Sequence, residues 1–113
     1  MTIDCADPLA LAAFWGSMFG TEIDSVSGDP PHYVDTKTVP GVTPTLRFQR
    51  VPEGKTIKNR LHLDVLVDDP EQAAARAVAL GARRLVDEPF GEYGYRWIVM
   101  QDPEGNEFCV GTP

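Results

Sequence analysis

Residues 64–81, DVLVDDPEQAAARAVALG, follow the same plan as residues 2–20, TIDCADPLALAAFWGSMFG. Each copy runs from an apolar-rich strand through Asp-Pro into an Ala-rich helix and stops at a glycine, at an offset of 62 residues. In both, the aspartate (Asp7, Asp69) is placed to cap the helix. The proline after it (Pro8, Pro70) takes the first helical position, where a missing N–H costs nothing. The spacing predicts helices over 8–19 and 70–80. Leu11, Phe14, Trp15 and Met18 form an apolar stripe on the first, and Ala74, Ala75, Ala77 and Val78, with Leu80, a thinner one on the second. Each helix is expected to lie on a sheet.

Three strand candidates follow each helix. They are TEIDSVS (21–27), HYVDTKTV (32–39) and TLRFQRV (45–51) in the first half, and RRLVDE (83–88), YRWIVMQ (95–101) and EFCVG (107–111) in the second. The order is β-α-β-β-β, twice, which makes the fold class α+β. The expectation is one domain over residues 1–113, with a first module at 1–56 and a second at 57–113. One helix covers one face of a four-stranded sheet, so the other face must meet water or enclose something. Two copies of this length suit a duplicated pair of half-barrels better than a solenoid.

Composition narrows the function classes. The chain of 113 residues, 42% hydrophobic and 24% charged, is that of a globular protein. Its net charge of -7 repels polyanions and anionic lipid, so neither nucleic acid nor a membrane surface is an expected partner. The apolar stretch PLALAAFWGSMF is too short to cross a bilayer and lacks the basic flank of a secretion signal, which points to the cytoplasm. Two cysteines, Cys5 and Cys109, without CxxC spacing, suggest thiols rather than a disulfide framework or a zinc knuckle.

Alternation along the strands selects the candidate site. In NRLHLDVLVDDP (59–70), Leu61, Leu63, Val65 and Val67 share the helix-facing side, whereas Arg60, His62 and Asp64 share the other. The same parity in TLRFQRV and EFCVG places Arg47, Gln49, Glu107 and Cys109 away from the helices. A concave, partly polar pocket follows, with a solvated face carrying ordinary salt bridges as the alternative. Cys5 reads as a buried small hydrophobe aligned with Val67. Cys109 beside Glu107 reads as a thiol whose ionisation is opposed by like charge. EPFGEYGYRW (88–97) gathers Phe90, Tyr93, Tyr95 and Trp97 around two glycines, as an aromatic lid or as a packed hairpin tip.

The doubled plan, the NRLHLDVLVDDP strand, the helix ending in ALGA and the closing VMQDPEGNEFCV together resemble glyoxalase-like members of the vicinal oxygen chelate superfamily, the glyoxalase, bleomycin-resistance and ring-cleaving dioxygenase group. The resemblance spans essentially the whole chain. It implies two modules whose curved mixed sheets surround a cavity with the helices outside, and often a homodimer. Metal-dependent members draw ligands from the first and last strands of each module. Carried over, that gives His62, Cys109 and, as the counterpart of Cys109, Gln49. The fourth position, 62 residues before His62, falls at position 0, ahead of Met1. A His, Cys and Gln set is a poor one, so the expectation is no tightly bound metal. A divalent ion (Zn, Ni, Mn or Fe) on His62, Cys109 and Gln49 is the alternative. The functional expectation is binding of a small organic ligand by His62, Asp64, Gln49, Arg47, Glu107, Cys109 and Trp97. A metal-dependent lyase, isomerase or dioxygenase using His62, and a non-enzymatic interaction domain, stand as alternatives.

Overall fold

Both Asp-Pro signals start helices, and in both the aspartate side chain closes the first turn. In the computed structural model, which describes residues 1–113, Asp7 Oδ1 accepts from Ala10 N and Asp69 Oδ1 from Gln72 N, each at 3.1 Å. The chain divides into two compact units, Met1–Gly54 and Lys55–Pro113.

The first unit runs β1 (Thr2–Cys5), α1 (Pro8–Phe19), β2 (Ile23–Ser27), β3 (Tyr33–Thr36) and β4 (Arg47–Arg50). Its sheet has the order β1-β4-β3-β2, with β1 parallel to β4 and the other pairs antiparallel. Leu11, Phe14, Trp15 and Met18 are all buried, as the stripe predicts, and α1 packs on β3 and β4, which contribute Val34 and Phe48. Burying side chains of this size contributes roughly 1.5–3 kcal/mol each in transfer terms.

The second unit repeats the plan with β5 (Leu63–Leu66), α2 (Pro70–Ala79), β6 (Arg83–Arg84), β7 (Phe90–Glu92), β8 (Tyr95–Gln101) and β9 (Glu107–Gly111). The order is β5-β9-β8-β6, with β5 parallel to β9, and β7 paired to β8 beyond the main path. The fold class is α+β, with two mixed sheets and one helix on each. Only Ala74 and Ala77 of the expected α2 stripe are buried, next to Ile98 and Met100 of β8, while Val78 stays 48% exposed and Ala75 faces solvent. This helix presents two methyl-sized buried side chains to its sheet where α1 presents four large ones.

Three expectations are corrected. β5 begins only at Leu63, so Arg60 and His62 precede the strand, and Leu61 is 72% exposed instead of facing the helix. RRLVDE contributes a two-residue strand, Arg83–Arg84, with one further backbone bond to β8 from Leu85 N to Val99 O at 3.0 Å. Residues 88–97 form a hairpin, in which β7 adds a strand absent from the sequence-derived plan.

The turn between β8 and β9 is organised by Asp102, which is buried at 4% exposure. Its Oδ1 accepts from Glu104 N at 2.9 Å and Asn106 N at 3.0 Å, and its Oδ2 from Asn106 Nδ2 at 3.0 Å. Gly105 completes the turn at φ 84°, a left-handed conformation that a side chain disfavours. These bonds set the β8–β9 register on which the second sheet is built. Replacing a buried, charged acceptor strands its donors. Asp102→Ala should therefore cost about 2–3 kcal/mol, and Asp102→Asn, which keeps one oxygen, clearly less. Chemical denaturation of the three proteins measures this; equal midpoints for wild type and Asp102→Ala would refute it.

Candidate functional site

Parallel pairing of β5 with β9 sets Leu63 against Phe108, Asp64 against Cys109 and Val65 against Val110. Val65, Phe108 and Val110 are buried on the helix side, so the alternation of the strands sends Asp64 and Cys109 together to the uncovered face. β8 lies on the far side of β9, with Val99 opposite Cys109 and Trp97 opposite Gly111. Gly111 is needed there, because a Cβ would come within 3.0 Å of Arg96 O and 3.1 Å of Trp97 Cβ. His62 stands just ahead of β5, its Nε2 3.6 Å from Asp64 Oδ1. The result is an open cleft of about 450 Å³, lined among others by His62, Asp64, Tyr95, Trp97, Cys109 and Gly111. This lies within the ordinary range of small-molecule sites.

One wall of the cleft is aromatic. Phe90 stacks on Trp97 with ring centroids 5.8 Å apart and planes 28° apart, across the β7–β8 pair. The hairpin turns through Tyr93 and Gly94 with φ of 52° and 83°. Both being left-handed, this is the geometry of a tight hairpin turn that favours Asn or Gly first. Tyr93 takes that position while 89% exposed.

The thiol of Cys109 is pushed up by burial first and by the Asp64 carboxylate second, with Lys58 opposing. The expected culprit, Glu107, is not among the causes; its carboxylate is engaged elsewhere. Its Oε1 accepts from Lys55 Nζ and its Oε2 from Asn59 N, each at 3.0 Å. The Asn59 N–H above all, with Lys55 helping, lowers the Glu107 carboxyl to about 2.

A metal would find three donors here. Ligand atoms of His62, Asp64 and Cys109 all lie within 4.8 Å of one another. Tetrahedral zinc holds N, O and S ligands roughly 3.3–3.8 Å apart, so closure by about 1 Å suffices, and three protein ligands leave a fourth position open. The donor set fits a borderline divalent ion. Within this unit Asp64 joins His62 and Cys109. The strand registers also correct the placement of the fourth position. Ile3 pairs with Phe48 as Leu63 pairs with Phe108, so the sheets match at an offset of 60, not the 62 that relates the helices. Two extra residues lie between β5 and the cap of α2. Cys5, 4% exposed, is therefore the counterpart of Val65, not Val67, and Thr2 is the counterpart of His62.

The remaining sequence candidates belong to the first unit. Arg47 makes a two-pronged bond to Asp35, Nε to Oδ1 at 2.8 Å and Nη2 to Oδ2 at 2.9 Å, with its guanidinium 5.4 Å from the Tyr33 ring centre. Arg47 is half exposed, whereas Asp35 is 16% exposed. Gln49 is half-buried opposite Asp4, and its carbonyl accepts from Cys5 Sγ at 3.5 Å. Of the candidates, His62, Asp64, Trp97 and Cys109 come together in one cleft. Tyr95, named in the sequence only as part of the aromatic 88–97 stretch, also lines it, and Arg96, Gly111 and Thr112 line it without having been singled out. The alternation in YRWIVMQ, with Tyr95, Trp97 and Val99 opposite Ile98 and Met100, carried the signal for Tyr95. Gly111 and Thr112 left none.

Residues 1–111 match the glyoxalase-like domain model. This chain belongs to the glyoxalase-like family. It is a member of the vicinal oxygen chelate superfamily, and solved structures of that group share its fold. A glyoxalase/bleomycin resistance protein/dioxygenase family enzyme from Burkholderia phytofirmans PsJN superposes with a TM-score of 0.76 at 23% identity, over 99% of this chain and 94% of that one. The fosfomycin resistance protein FosX from Mesorhizobium loti gives 0.73 at 16% identity, covering 100% and 88%. TioX from Micromonospora sp. ML1 gives 0.68 at 18% identity, covering 99% and 94%. No functionally curated protein matches the sequence.

For this glyoxalase-like chain, burial and Asp64 together push the Cys109 thiol up, which predicts a slow nucleophile at neutral pH. Removing the carboxylate charge lowers the thiol's proton affinity and raises the thiolate fraction. Alkylation of Cys109 by iodoacetamide at pH 8 should be slower than that of a free cysteine and should speed up severalfold in Asp64→Asn. Mass spectrometry of the Cys109 peptide follows the rate, and an unchanged rate would break the assignment of Asp64 as the second cause.

Proposed function

We propose that this glyoxalase-like protein binds a small, flat organic molecule in the cleft of its second unit. The ring of the ligand would lie against Trp97 and Tyr95, and its polar end would meet His62 and Asp64. The observation that carries this reading is the cleft itself, about 450 Å³ with an aromatic wall on one side and titratable groups on the other. The aromatic faces supply contact area at low entropic cost, and the polar pair fixes orientation. Arg96 lines the same cleft, so Asp64 and Arg96 offer a charge of each sign beside the π-faces of Tyr95 and Trp97.

A second reading is favoured by one specific observation, the convergence of the His62, Asp64 and Cys109 ligand atoms within 4.8 Å. On that reading the protein is a metal-dependent lyase, isomerase or dioxygenase, and the three residues hold a divalent ion. The ion would supply polarisation of a carbonyl or enediolate oxygen. His62 and Asp64 would orient the ligand in either case. Localisation in the cytoplasm is supported by the two thiols, and assembly as a homodimer by exposed apolar residues such as Leu61 (72%) and Leu66 (64%).

Elemental analysis and a thermal-shift screen of metals and of small aromatic, aldehyde and acid compounds decide between the readings. Under the first, flat aromatics raise the melting temperature of metal-free protein, and His62→Ala abolishes the response while costing no more than about 1–2 kcal/mol of stability. Stoichiometric metal that survives dialysis and disappears in His62→Ala would make the second the better one. A screen without any response in either arm would sink both.

A further inference from the structure

Lys55 to Leu61 belong to no helix or strand, and yet this segment delivers His62 to the cleft. Its hydrogen bonds to the rest of the unit run to a single carboxylate. Glu107 uses one oxygen on the Lys55 ammonium and the other on the Asn59 backbone N–H, both at 3.0 Å. Lys55 in turn donates from Nζ to Ile57 O at 2.7 Å, which folds the segment back on its own anchor. The ion pair is sheltered, with side-chain exposures of 22% for Lys55 and 12% for Glu107. Beyond Asn59 the next fixed point is Leu63, paired with Phe108 on β9. Arg60, Leu61 and His62 therefore bridge two anchors on consecutive residues of one strand, Glu107 and Phe108. A bridge this short leaves little freedom, because the cost of closing it has been met by its two ends. Glu107 and Cys109 lie two apart on β9 and on the same face, so the anchor and the thiol of the cleft are set by one strand.

We infer that Glu107 is a positioning residue: its carboxylate latches residues 55–59 to β9 and so holds His62 over Asp64 and Cys109. This deepens the site reading above, since it concerns how that site is assembled, but the latch exists whether or not a ligand is found. Charge and reach both matter. A glutamine keeps an oxygen for Asn59 N but loses the attraction to Lys55, and an alanine loses both.

The test is nuclear magnetic resonance on the isotope-labelled full chain, comparing wild type with Glu107→Ala, Glu107→Gln and Lys55→Met. With the latch intact, contacts between the His62 ring protons and the Cys109 β-protons are seen. In Glu107→Ala those contacts vanish and the Asn59 amide exchanges at least tenfold faster, while Ile98 and Val110 amides keep their protection. Glu107→Gln restores part of the Asn59 protection, and Lys55→Met, the fallback if Glu107→Ala does not fold, weakens the His62 contacts with Glu107 still present. Persistence of the His62 to Cys109 contacts in Glu107→Ala overturns the inference. So does a loss of protection at Ile98 and Val110 that matches the loss at Asn59, because Glu107 would then support the sheet as a whole. A ligand screen that finds nothing, beside variants that behave as described, would refute the site reading and leave the latch standing.

Discussion

Parallel pairing between the first and last strand of each unit is the contact on which the other features rest. A βαβββ chain that paired only neighbouring strands would leave its first strand without a partner. Here β1 joins β4 and β5 joins β9, while the helix crosses one face of the sheet between them. The crossover fixes which face the helix covers, and strand alternation then decides the fate of every side chain. It also makes residues distant in sequence adjacent. Asp64 and Cys109 face the same cleft only because the parallel register sets them side by side.

That register explains what could be read from the sequence and what could not. Helix starts were legible because Asp-Pro is a local signal with a local cause, the cap bonds of Asp7 and Asp69. The strands YRWIVMQ and EFCVG were legible to the residue because their buried members, Ile98, Met100, Phe108 and Val110, alternate without interruption. NRLHLDVLVDDP misled at its N-terminal end, since Leu61 keeps the alternation without a strand partner to enforce it. Sequence spacing likewise put the counterpart of His62 ahead of Met1, because the Asp-Pro repeat is offset by two residues from the strand repeat. Analogy between halves pointed to Gln49 as a third donor, and the register adds Asp64, which pairs directly with Cys109. Alternation identifies a face, but only the register identifies neighbours.

Glu107 and Arg47 show how one scaffold position serves opposite charges. Both open the last strand of their unit, and the register makes them equivalents. Arg47 turns sideways within the sheet to Asp35 on β3, a side chain-to-side chain contact in which the guanidinium is half exposed. Glu107 reaches toward the segment that enters β5, where its partners include a backbone N–H outside any ladder. Binding such an orphan donor with an ionised acceptor is worth more than a surface ion pair, because the donor would otherwise lack a partner within the protein. The same site in the strand thus decorates the face in one unit and organises the approach to it in the other.

The duplication also locates where chemistry has been concentrated. Thr2, Asp4 and Gln49 in the first unit stand where His62, Asp64 and Cys109 stand in the second. The aspartate is common to both, and the two flanking positions differ. In the second unit they carry an imidazole and a thiol, groups that bind borderline metals. In the first they carry a hydroxyl and an amide, which do not. The thiol beside Asp64 is held in its neutral form by burial and by the carboxylate's charge. The carboxylate of the shared aspartate and the guanidinium of Arg96 then face the same cleft, the former placed to attract a divalent ion that would displace the thiol proton. The backbone is common to both units, so the difference in capability between them lies in those two flanking side chains and in the latch that presents one of them.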